Sequence, residues 1–151
     1  MSLMNLVNQK FPTGLDYTPN PIKIREERFS VANKGVFHTE GIITCIGLSI
    51  YDSELKEGLI AHIFEEGWGS SSKDYHKIIG FLTSICDLNN SAKYELGAYF
   101  YMANKQRIDN FVKFIPENLR NVLNVYQGIK VSEGVTLDLS NGNIIIGLNN
   151  L

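Results

Sequence analysis

Two cysteines and a single tryptophan in 151 residues exclude several architectures at once. Cys45 and Cys86 are too few for a disulfide framework or a structural zinc cluster, and they suit a reducing compartment, so a cytoplasmic location is expected. Charge of one sign is also missing. Lys plus Arg number 14 and Asp plus Glu 16, a net charge of -2, which leaves no basic footprint for nucleic acid and no polybasic membrane patch. Long apolar runs are absent too. The longest, Gly41 to Ile50, is interrupted by Thr44, Gly47 and Ser49 and is far too short to span a bilayer. No basic start followed by an apolar stretch marks a signal peptide, and Met1-Ser2-Leu3-Met4 reads as a short vector-derived leader without structural weight. There is no internal repeat and no low-complexity tract.

What is present describes one ordinary globular domain. Hydrophobic residues make up 44% and charged residues 20% of the chain, and a chain of this length buries about two-thirds of its unfolded surface. Residues 1–20, with Pro12, Gly14, Pro19 and Asn20, read as an irregular arm. A strand is expected over Ile22 to Ala32, broken near Arg25-Glu26-Glu27-Arg28, and Asn33-Lys34-Gly35 is a turn signal. Ile42 to Tyr51 and Gly58 to Phe64 are apolar on both alternating faces, as strands buried on both sides are. Tyr75, Ile78, Ile79, Leu82, Ile85 and Cys86 recur at helical spacing behind an acidic variant of the capping box, Ser71 and Asp74.

Lys93 to Met102 is a strand by its aromatic content, and Arg107 to Ile115 a second helix. Pro116 opens a further helix carrying Leu119, Val122, Leu123 and Tyr126 up to Gly128. The tail, Val135 to Leu139 and Ile144 to Leu148 around Asn141-Gly142, is a hairpin. The sum is an α+β domain: a mixed sheet or sandwich of six or seven strands flanked by two or three helices.

Chemistry concentrates between Thr39 and His62. If Asp52 to Leu55 turn the chain tightly, Tyr51 pairs with Lys56, Ser49 with Gly58, and Cys45 with His62, bringing Cβ atoms about 4.5–5.5 Å apart. A thiol and an imidazole in contact form the nucleophile pair in which the imidazole draws off the thiol proton. Gly47 and Ser49 leave little bulk beside the sulfur, while Ile46, Leu48 and Ile50 point the other way into a core. Thr39 would lie roughly 20 Å from Cys45 along one unbroken strand, and Gly41 offers the bend that returns it toward the pair.

The residues Thr39-x-Gly41-Ile42-x-Thr44-Cys45, then Tyr51-Asp52, then Gly58-x-x-Ala61-His62, resemble the signature of the CheD chemoreceptor glutamine deamidases. Both the Thr-to-Cys and the Cys-to-His spacings are those of that family. The match is sharp over these stretches and topological beyond them, and the fold is shared more distantly with deamidase toxins such as the cytotoxic necrotizing factors. The resemblance implies a CheD-like single domain in which Cys45 is the nucleophile, His62 the general base and acid, and Thr39 the group that orients the imidazole. It also implies Thr44 and Gly41 beside the substrate amide and oxyanion, a protein substrate bearing a glutamine, and no metal or organic cofactor. Ile43 stands where the family has glycine, Ile63-Phe64-Glu65-Glu66 where it has Leu-Pro, and Glu133-Gly134 where it has a glycine pair. These departures bear on the substrate and leave the trio intact.

Blander readings cover the remaining residues. Cys86 is read as core, His38 and His76 as surface residues, and Trp68 as either a lid or a packed loop anchor. Tyr94, Tyr99, Phe100 and Tyr101 are read as strand packing. Two rival functions remain: a non-catalytic docking module in signalling, and a deamidase effector acting on host proteins.

Overall fold

The computed structural model of the chain describes residues 3, 22–23, 28–40, 42, 45–64, 84–128 and 134–146. Its strands are β1 (Ile22–Lys23), β2 (Arg28–Ala32), β3 (Val36–Glu40), β4 (Cys45–Asp52), β5 (Glu57–Phe64), β6 (Tyr94–Tyr101), β7 (Leu123–Gly128), β8 (Gly134–Asp138) and β9 (Ile144–Ile146). A 3-10 helix (Leu88–Lys93) precedes β6, and two short helices, α1 (Lys105–Val112) and α2 (Glu117–Arg120), follow it. The fold is α+β. Nine strands among the described residues exceed the six or seven expected, because Ile22 to Ala32 divides into two strands of different sheets and Val36–Glu40 and Leu123–Gly128 each add another.

The strands form a five-stranded sheet, ordered β2-β5-β4-β6-β7, and a four-stranded sheet, ordered β1-β3-β8-β9. All eight residues of β4 are buried, as expected of a central strand covered on both faces. One face carries Ile46, Leu48 and Ile50, which join Phe111, Ile115 and Leu119 from the helical side in one core. The other face carries Ile60 and Tyr99, which join Phe37, Val135, Leu137 and Leu139 from the second sheet. The molecule is therefore layered as sheet, sheet and helices. Leu3 is only 1% exposed and belongs to the helix-side core, so this residue has a packing role that the sequence reading did not give it.

The expected helix from Pro116 to Gly128 is half right. Helix α2 ends at Arg120, and Leu123–Gly128 is a strand parallel to β6, paired Leu96 with Leu123 through Tyr101 with Gly128. A parallel neighbour requires a crossover of about a dozen or more residues, which α1 and α2 provide. Helix α1 starts where Asn104 accepts a hydrogen bond from the Arg107 amide at 2.8 Å. Of the expected helix over Ser71 to Cys86, only Ser84 and Ile85 are described as helical, and residues 71–83 lie outside the described set. The tail hairpin is present, with Gly142 at φ 76 in the turn, a conformation glycine adopts without penalty.

Candidate functional site

The hairpin β4–β5 sets the site. Its turn is longer than the tight one expected. Asp52 pairs with Glu57, leaving four residues in the loop, and Cys45 faces Phe64 while Gly47 faces His62. The direct Cys45–His62 pairing is thus corrected by two positions. The cause is local: a two-residue turn would put Ser53, and in its type I′ form Glu54 as well, at positive φ, which neither favours. Instead the Asp52 carboxylate accepts from the amides of Glu54 at 3.0 Å and Leu55 at 3.1 Å, and Lys56 closes the loop at φ 52. A slip of two keeps every side chain on its face. Cys45 and His62 are diagonal neighbours on the inner face of the five-stranded sheet, a relation that places backbones about 7–8 Å apart.

Thr39 reaches His62 from the other sheet. It lies on β3, opposite Val135 of β8, and its Oγ1 is hydrogen-bonded to His62 Nδ1 at 2.8 Å. Thr39, Cys45 and His62 are each 1% exposed. Strands β3 and β4 belong to different sheets, so the chain crosses between layers after Glu40 instead of folding back within one strand. The two substrate-side residues, Thr44 and Gly41, lie outside the described residues, as do Ile43, Trp68 and His76.

Two neighbours complete the geometry. Gly47, directly opposite His62, is closely covered: a Cβ there would sit 2.6 Å from Ile42 Cδ1 and 3.1 Å from the Tyr99 ring, so a side chain would require Ile42 to shift. Arg107 of α1 donates to the Cys45 carbonyl at 3.3 Å while its guanidinium lies 5.6 Å from the centre of the Phe100 ring. Sequence spacing carries no signal for Arg107, because the contact joins residues far apart in the chain. Alongside, Ser49 and Tyr99 share a hydrogen bond of 2.8 Å, and Tyr99 stacks on Tyr126 at 5.0 Å. Burial raises the Tyr99 hydroxyl above the ordinary tyrosine range, against the opposing Ser49 bond.

His38 is not a surface residue. It is 2% exposed, and its Nδ1 is hydrogen-bonded to Thr136 Oγ1 at 2.9 Å. Strand alternation explains this: with Thr39 turned to the first sheet, His38 faces the other way, level with Thr136 of β8. Cys86 is buried in the helix-side core, where desolvation pushes its thiol up to about 12, Lys93 opposing and Asp52 reinforcing the shift. Neither cysteine is in a disulfide. Tyr94, Tyr99 and Phe100 are buried in β6, and Tyr101 is half-buried.

Among the described residues no group of three or more His, Cys, Asp and Glu could hold a metal ion, and no helix is long and apolar enough to cross a membrane. No family model matches the chain, and no curated protein matches it.

Proposed function

We propose that the chain is a cysteine-dependent protein-glutamine deamidase acting through Cys45, His62 and Thr39. The observation that carries this reading is the 2.8 Å bond between Thr39 Oγ1 and His62 Nδ1. The mechanism assigns the tautomer in which Nδ1–H donates to Thr39, which leaves proton exchange to Nε2 of a ring on the face that Cys45 shares. His62 takes the Cys45 proton, and the thiolate attacks the side-chain carboxamide carbon of a protein glutamine. The imidazolium then protonates the departing nitrogen, the carbon–nitrogen bond breaks, and ammonia leaves a thioester on Cys45. His62 next takes a proton from water, the resulting hydroxide attacks the thioester, and glutamate leaves as the thiol is restored. Thr39 accepts from Nδ1–H in both protonation states, so the ring keeps its orientation throughout. The CheD resemblance suggests a chemoreceptor-like protein as the substrate, in a reducing cytoplasmic setting.

Cys45 is 1% exposed, so turnover requires the site to open, and opening is measurable without knowing the substrate. The rate of iodoacetamide labelling at Cys45, followed by mass spectrometry across pH, is expected to reach half-maximum well below pH ~8.5, the ordinary thiol value. His62→Ala is expected to remove that advantage. Cys86, with its thiol pushed up to about 12, is the internal control and labels only on unfolding. A Cys45 that titrates as an ordinary thiol, or that stays unlabelled in the folded protein, overturns the reading. The burial of Cys45 favours the second reading, a docking module that keeps the fold without the chemistry. Labelling with the low-pH profile, followed by ammonia release from carbobenzoxy-glutaminyl-glycine, excludes it.

A further inference from the structure

A cleft of about 280 Å³ opens between the two sheets on the β6–β7 side, away from Cys45. Tyr51, Tyr99 and Tyr126 wall it, and Glu95, Asn124 and Asn143 also line it. Two glycines let the lining side chains close onto the backbone. A Cβ at Gly97 would collide with the Tyr99 hydroxyl and come within 2.8 Å of Ser49 Oγ; one at Gly142 would lie 2.8 Å from the Tyr51 ring and 3.0 Å from Glu95 Oε2. The Glu95 carboxylate and the Tyr51 ring therefore meet at Gly142.

The electrostatics of the cleft have one sign. Its described lining contains a carboxylate and no Lys, Arg or His. Glu95, Asp138 and Asp52 all raise the Tyr51 hydroxyl, after burial, so their negative field reaches the aromatic wall. The nearby Lys93 is engaged elsewhere, 3.3 Å from Asp52 and over the Tyr94 ring. An anion is disfavoured by this field, and a single lining carboxylate is too few for a hard metal ion. Tyrosine rings beside a carboxylate, with amide groups at hand and Leu137 and Ile144 also in the lining, suit a cation on an aliphatic stem.

We infer that this cleft binds a guanidinium or alkylammonium group, with the cation at Glu95 and its stem along the tyrosine wall. The inference is independent of the proposed deamidation. Two sources offer the same chemistry: an arginine or lysine side chain of a protein segment, and a free small amine.

Amide NMR on the full chain tests it, with Nα-acetyl-arginine amide, agmatine and the neutral Nα-acetyl-citrulline amide as probes. Both guanidinium probes are expected to move the Gly97 and Gly142 amides saturably, and the citrulline compound is not. Glu95→Gln, at an exposed position that tolerates the change, is expected to weaken binding about fivefold, and Tyr126→Leu by a similar factor. Tighter binding of the arginine amide than of agmatine supports a protein segment as the source; the reverse order supports a free amine. Equal binding of the citrulline compound, indifference to Glu95→Gln, or no saturable shift at Gly97 and Gly142 overturns the inference.

Discussion

A threonine hydroxyl is an uncharged partner for an imidazole, and that choice has a cost at the residue scale. Thr39 fixes the His62 ring through one buried bond of 2.8 Å without the counter-charge a carboxylate would bring to an imidazolium. Thr39→Val keeps the shape and removes the hydroxyl, leaving Nδ1 without that bond. Chemical denaturation is expected to show a loss of about 1–3 kcal/mol, and the Cys45 labelling profile should shift toward ordinary thiol behaviour. Thr39→Ser should restore both. Cys86 supplies a pH prediction. Its thiol stays protonated up to about 12 in the fold, whereas the unfolded chain releases that proton near its ordinary value. The folded state then binds more protons, so stability falls as pH rises through this window, by about 1.4 kcal/mol per pH unit above pH ~9. In Cys86→Ala this slope is absent, so the stability gap between the two proteins should close between pH 8 and 10.5.

Single elements were legible where side chains alternate into a core, and less so where the backbone alone decides. Strands β4, β5 and β6 announce themselves through apolar and aromatic runs, and their extents differ from expectation by a few residues at most. Strand β7 does not. Leu123 and Tyr126 are half-buried and Asn124 and Val125 exposed, so hydrogen bonds to β6 hold this edge without a periodic apolar face to read. The hairpin register was hidden for another reason. It depends on Asp52 capping the turn and on Lys56 accepting φ 52, and neither leaves a mark in hydrophobic spacing. Lys56→Gly relieves the left-handed conformation and is expected to stabilise the protein by about 0.5–1 kcal/mol, readable as a rise in thermal midpoint. The Thr39–His62 link was suggested by motif resemblance, while its route across two sheets depended on a strand, Val36–Glu40, that the sequence did not mark.

At the scale of the whole molecule, the spacing of the two sheets is set by small residues as much as by large ones. Gly58 lies where a Cβ would collide with Leu139 Cδ2 and come within 3.1 Å of Leu137 Cδ2, both from the second sheet. Packed sheets sit about 10 Å apart, and Gly58→Ala forces either side-chain displacement or a wider gap. Denaturation should show a loss of about 1–3 kcal/mol. The Tyr51 hydroxyl, which donates to the Leu139 carbonyl at 3.0 Å, is another tie across the same gap.

The bond from Thr39 to His62 crosses that gap as well, so the imidazole acts as a gauge of the distance between the layers. Each ladder can remain intact while the layers drift apart by a fraction of an ångström, and the first thing lost would be the tautomer of one ring. Warming should therefore change the nitrogen resonances of His62 before circular dichroism registers any melting of strands, and whatever chemistry the ring performs should fade along the earlier curve.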